Sequence, residues 1–276
     1  MSNDVSNERR DAVRAKAKKV STRIHALKWV KRTVITIVIV AAVAAAGWWV
    51  WKTVTPEIDR PVVDPKNLTG DGVAIESTLP EDERPKVDEE PIDIDVYFDY
   101  MAPEAGVIEK NLAPQIYELI DEGIVTLTYH PISLMPNESN GSQYSTRAAA
   151  AAMCVVSEKP EAFRDFNTAL LSEQPELGTE GYTDEELASM AADAGAKGLD
   201  ECISDHTYAP WIGEATSRAT DQDLPGTDGI RATETIVIAD GQKYEGSLSD
   251  PADFSQFLLT LQSERYYGDV NGGDSE

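Results

Sequence analysis

The sequence predicts an α/β domain preceded by one transmembrane helix, and three observations carry that prediction. From Ile92 to Tyr129 a strand-like stretch, a helix-like stretch and a second strand-like stretch follow one another. A block of helices comes next, and two short strands and a helix close the chain. Well ahead of that domain, Val34 to Trp51 forms a run of 18 residues without a charge.

Charge and cysteine count exclude several classes. The 276 residues hold 24 Lys and Arg against 49 Asp and Glu, a net of 24 − 49 = −25. Residues 1–32 carry ten of the bases and three acids, which leaves 14 bases and 46 acids for residues 33–276. So acidic a main body repels phosphate backbones, and no nucleic-acid partner is expected. Two cysteines alone make neither a zinc ribbon nor an iron–sulfur site; they make one disulfide or none. No metal and no cofactor is expected.

The basic segment 1–32 precedes the apolar segment 33–51, which at about 1.5 Å per residue reaches roughly 27 Å, enough to span a hydrocarbon core. Lys28, Lys31 and Arg32 stand before it and Trp48, Trp49 and Trp51 close it. That asymmetry places the N-terminus in the cytoplasm and the bulk of the chain outside, as a single-pass membrane protein. Ala44 to Ala46 also fits a signal-peptide cleavage pattern, but the long leader and the three tryptophans favour an uncleaved anchor. Residues 52–91, with six prolines and eleven acids against five bases, read as an extended acidic linker. Val73 to Thr78 interrupts it as a candidate edge strand of the domain that follows.

The domain is expected over 92–267. Ile92 to Phe98 alternates apolar and polar residues and then turns apolar, as a strand entering a core does. Ile108, Leu112, Ile116, Leu119 and Ile120 recur at helical spacing, within one helix of about twenty residues that Gly123 caps. Ile124 to Tyr129 is a second strand ended by His130-Pro131, and β-α-β order implies a parallel pair. Tyr144 to Val156 is rich in strong helix formers. A further helix starts at Pro160 and runs to Leu171. Thr183 and Glu186 have capping-box spacing, and helical turns run through Ala209 to Thr220. Thr235 to Ala239 is a strand, Asp240-Gly241 a hairpin turn, and Pro251 to Gln262 the last helix. Residues 268–276 read as a disordered acidic tail.

Four stretches carry a family resemblance: Val96 to Gly106, Tyr144 to Ala149, Cys154-Val155 and Gly229 to Thr235. With the element order, they make residues 92–263 resemble the DsbA-like disulfide oxidoreductases, in particular membrane-anchored actinobacterial-type members. The resemblance implies a thioredoxin-like fold with a helical insertion. It also implies a C-P-x-C tetrapeptide at the first helix, where the helix N-terminus favours an attacking thiolate. Here the matching residues are Ala102, Pro103, Glu104 and Ala105, and both sulfurs are absent. The family's Thr-Pro-Thr with a cis proline reads Thr233, Glu234 and Thr235. A cis bond before a non-proline residue costs ~2.5–4 kcal/mol, so a trans bond and a reshaped loop are expected. By the family layout Glu104 and Glu234 should lie near one another at a helix N-terminus, and Met101, Thr233 and Thr235 become groove candidates. No catalysis is expected at that site.

The relatives also imply that Cys154 and Cys202 form a structural disulfide, closing a loop of about 49 residues at about 4 kcal/mol in the chain-entropy model. A relocated redox couple is the alternative, and the apolar Ala-Ala-Met before Cys154 argues for burial instead. His130 reads as structural, and His206 falls in a loop-like stretch. The expected function is a polypeptide-binding or scaffold module of the cell envelope. A Cys154–Cys202 oxidoreductase and a cation-binding envelope protein are the competing readings.

Overall fold

The computed structural model describes residues 61–87, 89–221, 224–227, 229–230 and 234–272, with Ala41 and Val43, and gives backbone alone for 268–272. The chain divides into two compact units, Met1–Arg60 and Pro61–Glu276. The predicted span at 33–51 lies outside the described residues except for Ala41 and Val43, both helical. Among the described residues no helix is long and apolar enough to cross a membrane.

Five strands form one sheet in the order β1-β3-β2-β4-β5. They are β1 Val73–Ile75, β2 Ile92–Phe98, β3 Val125–Pro131, β4 Ile236–Ala239 and β5 Gln242–Lys243. β2 and β3 are parallel, with Val96 opposite Tyr129, and the other neighbours are antiparallel. Ile92, Ile94, Val96 and Phe98 are buried in the larger core cluster, which α-helices from the rest of the domain complete. Tyr97 points to the other face, where Ile132, Ala219, Ile230, Ile236 and Ile238 make a smaller cluster.

The helix expected over about twenty residues is two: α1 Pro103–Asn111 and α2 Ala113–Asp121. Pro114 lacks the N–H that would bond Lys110 and its ring crowds the preceding turn, so the helix breaks at Leu112. α2 ends as expected at Gly123, which takes φ +74°. Gly123 N–H donates to Ile120 O (3.0 Å) and Ile124 N–H to Leu119 O (2.9 Å), the two bonds of a Schellman cap. The insertion holds α3 Tyr144–Glu158, α4 Phe163–Ser172, α5 Asp184–Asp193, the short α6 Asp200–Ser204 and α7 Ala209–Asp221. Thr183 and Glu186 form the expected capping box. Asp240 and Gly241, at φ +48° and +73°, make the hairpin turn between β4 and β5.

Two boundaries differ from the sequence reading. The linker expected through residue 91 is part of the domain from Pro61 onward. β1 pairs with β3, the Lys66 N–H donates to Ser157 Oγ (3.1 Å), and Asn67 Nδ2 donates to Val156 O (2.9 Å). Asp121 accepts from Ser77 Oγ (2.7 Å), Thr78 N–H (2.9 Å) and Thr78 Oγ1 (2.9 Å). Asn67 thereby caps the C-terminal end of α3, and Ser77 and Thr78 satisfy a carboxylate at the end of α2, so polar residues that read as spacer meet backbone and side-chain acceptors. The last helix, α8 Pro251–Gly272, also runs past Gln262 into the expected tail. Arg265 holds that extension by donating to Glu90 O (2.8 Å), Pro91 O (3.1 Å) and Asp240 Oδ1 (2.5 Å).

Candidate functional site

The site sits at the C-terminal end of β2, where Asp99 to Ala102 leads into α1. Asp99 builds that loop. Its fully buried carboxylate accepts from Met101 N–H (2.7 Å), Leu134 N–H (2.6 Å), Met135 N–H (2.8 Å) and Ser145 Oγ (2.5 Å). Burial pushes this carboxyl up from its ordinary range, and the four donors pull the other way. Ala102 is the N-cap residue, in extended conformation and without a side-chain cap bond. Ala102, the N-cap, and Ala105, the third residue of α1, present methyl groups at this helix N-terminus.

Two contacts close this junction. From the turn after α4, Gln174 Nε2 donates to Tyr100 O (3.1 Å) and Ala102 O (2.9 Å). From the first turn of α1, Glu104 Oε2 accepts the Thr235 N–H (3.0 Å) just before β4. Glu234 turns instead toward Lys243 (3.4 Å). Glu104 thus bonds the backbone next to Glu234, while the Glu234 carboxylate pairs with a different group, the Lys243 ammonium. Of the groove candidates, Met101 (1 % exposed) and Thr235 (6 %) are buried. Thr233, and with it the Thr233–Glu234 bond expected to be trans, lies outside the described residues.

One turn after Ala105, Glu109 lies on the buried face of α1. Thr168 Oγ1 (2.5 Å), Tyr117 OH (3.3 Å) and Tyr129 OH (3.2 Å) donate to its carboxylate. Burial raises its pKa, and the three hydroxyls and the Arg164 charge oppose that rise. Glu109, Asp99 and Gln174 were missed by the sequence reading. A signal existed for the first two: an acid inside the apolar stripe Ala105-Ile108-Leu112, and an acid flanked by Phe98 and Tyr100.

Cys154 and Cys202 are bonded to one another, joining α3 to α6 with Cα atoms 6.1 Å apart. Cys154 is fully buried in an apolar helix and Cys202 is half-buried. His130 Nε2 donates to Asp95 Oδ1 (2.8 Å), and its ring stacks on Tyr97 with centroids 4.1 Å apart. It is a buried member of the sheet, as its strand-end position implied. His206 pairs with Asp184 (2.9 Å), away from both alanines in sequence and in bonding. Among the described residues no group of three or more His, Cys, Asp or Glu is arranged to hold a metal ion.

A parallel β-α-β unit, a kinked helix starting at the end of β2, a helical insertion and a β-β-α close define a thioredoxin fold of the DsbA type. The chain belongs to the thioredoxin family whose model matches residues 89–258. It is similar to a Mycobacterium tuberculosis disulfide bond oxidoreductase, DsbG, with a TM-score of 0.56 and 29% identity, covering 68% of this chain and 86% of that one. The oxidised DsbA of M. tuberculosis matches at a TM-score of 0.54 and 30% identity, covering 68% of this chain and 91% of that one. The disulfide bond formation protein D of Bacillus subtilis is 26% identical over 181 residues, 64% of this chain and 74% of that protein. The serine/threonine-protein kinase PknE of M. tuberculosis is 29% identical over 155 residues, 55% of this chain. That alignment spans only 27% of the kinase's length.

Proposed function

We propose that the chain is a membrane-anchored, extracytoplasmic thioredoxin-fold module that binds polypeptide or scaffolds an envelope protein, without thiol chemistry at the family's site. One observation carries the reading: Ala102 and Ala105 occupy the start of α1. Thiol–disulfide exchange needs a sulfur nucleophile and a sulfur leaving group, and a methyl group supplies neither. The described loop before α1 is nonetheless firmly built, with the buried Asp99 accepting four hydrogen bonds, which supports a retained binding or scaffolding role. The similarity to a segment making up 27% of a kinase supports a module that works attached to other domains. Anchoring rests on the uncharged run to Trp51 and on the basic segment before it.

The competing redox reading puts Cys154–Cys202 to work, but complete burial of Cys154 withholds it from protein clients. An insulin-reduction assay on the full chain separates the two. No turnover is expected from the native protein; turnover that Cys154→Ser abolishes would install the redox reading. Calorimetric titration with calcium tests the cation-binding reading, for which flat heats are expected.

A further inference from the structure

The strand edge beside the site has a donor that, among the described residues, its own sheet does not use. Val237 O accepts the Tyr244 N–H (2.8 Å) on the outer edge of β4. Backbone groups two residues apart point to the same edge, so the Thr235 N–H is directed there too. A longer β5 would have paired with it. β5 ends at Lys243, however, and the chain turns away, with Ser247 N–H donating to Asp253 Oδ2 (2.8 Å). Glu104 takes the vacant ladder position with its carboxylate. Among the described residues the Thr235 hydroxyl, on a residue 6 % exposed, has no hydrogen-bond partner. A buried unpaired hydroxyl is costly, so Thr235 offers two donors to any acceptor that reaches it and only one is in use. Glu104 itself is exposed and able to swing back to water at little cost.

We propose that Glu104 is an internal competitor for this strand edge: its carboxylate holds the edge closed, and an extended polypeptide pairs with Thr235 by displacing it. A backbone carbonyl arriving as an added strand takes over the N–H and places an acceptor beside the free hydroxyl. The identity of the incoming chain rests on the polypeptide-binding reading above; the latch itself does not. Glu234, one residue away and paired to Lys243, carries the same charge without touching the donor.

Amide hydrogen exchange at Thr235 in the full chain reads the latch directly. Glu104→Ala is expected to speed exchange there about tenfold or more, which equals about 1.4 kcal/mol or more. Glu234→Gln is expected to leave the rate unchanged, which separates the bond from the local charge. Binding is then titrated with fluorescently labelled, reduced and carboxamidomethylated lysozyme, an unfolded basic chain, at physiological ionic strength. Glu104→Ala is expected to bind it about tenfold more tightly than the native chain does. Unchanged exchange at Thr235, or equal affinity in native and variant, overturns the latch and leaves the binding reading intact. Accelerated exchange with no binding by either protein overturns the binding reading instead.

Discussion

Gln174 donates its side-chain amide to the carbonyl of Ala102 at 2.9 Å, so the helical insertion closes directly over the residue that caps the N-terminus of α1. The same side chain limits what may stand opposite. A Cβ added at Gly106 would lie 2.4 Å from Gln174 Oε1 and 2.9 Å from the Leu171 carbonyl oxygen. Gly106→Ala should therefore destabilise the protein, although alanine is the better helix former by about 1 kcal/mol. Gln174→Ala should cost about 1–3 kcal/mol by stripping the Tyr100 and Ala102 carbonyls of their donor. Chemical denaturation of both variants checks this, and a Gly106→Ala protein as stable as the native one would show that the contact yields.

Glu109 predicts a pH dependence with a definite sign. Burial raises its folded pKa, so the folded chain keeps a proton that the unfolded chain has released. Stability then falls as pH rises from the ordinary glutamate range through the raised value, and stays lower above it. Glu109→Gln keeps acceptor and donor capacity for Thr168, Tyr117 and Tyr129 and removes the charge. It should raise the melting temperature at neutral pH, with the gain vanishing below about pH 4. Glu109→Leu strands three hydroxyls and should lose about 1–3 kcal/mol at every pH.

The Cys154–Cys202 bridge closes a loop of sequence separation 48 between α3 and α6. In the chain-entropy model such a loop contributes about 4 kcal/mol, and native disulfides commonly deliver about 2–5. Cys154→Ser/Cys202→Ser should lower stability by that order. If the bridge is structural, it should leave polypeptide binding intact wherever the variant is folded. A thermal melt together with the lysozyme titration reads both.

Most of the sheet and the helix order was legible because Ile92 to Phe98 alternates and Ile108 to Ile120 recurs at helical spacing, and burial alone fixes such patterns. Three kinds of feature were not. The break at Pro114 is a backbone effect that the apolar stripe runs straight across. The bonds of Lys66, Asn67 and Ser77 are long-range polar contacts that leave no periodicity. Gln174 and Glu104 meet their partners 72 and 131 residues away in sequence, a pairing that no local pattern encodes. The start of a helix near Pro103, after the strand ending at Phe98, was legible, yet the closure of that junction by Gln174 and Glu104 was not. Burial of Met101 and Thr235 depends on elements folded over them.

The N-terminal part of the domain should behave as structure, not spacer. A chain starting at Pro91 loses β1, exposes the β3 edge, uncaps α3 and strips the Asp121 carboxylate of its donors. It should melt lower and aggregate more readily than the chain from Pro61. Asp121 gives the finer test. Its bond from Ser77 Oγ, foremost among the Ser77 and Thr78 donors, holds its pKa below the ordinary value. That contribution is present above the ordinary aspartate range and is lost as pH falls through the lowered value. Asp121→Asn should therefore destabilise at neutral pH and converge with the native protein in acid, read from melts across pH.

Placing sulfur at positions 102 and 105 separates missing chemistry from missing access. In Ala102→Cys/Ala105→Cys the thiols stand at the first turn of α1, where the helix N-terminus favours a thiolate. Position 102 is only 1 % exposed, however, and Glu104 adds a negative charge one residue after Pro103. The pair should titrate with a small thiol reagent once the protein is unfolded. In the folded state it should reduce insulin far more slowly than a working DsbA-type enzyme measured alongside. Adding Glu104→Ala should raise that rate, because it frees Thr235 and removes the charge nearest the thiolate. Rapid insulin reduction by the double-cysteine variant alone would mean that access was never closed, and that two sulfurs suffice for activity even with Glu234 in the loop before β4.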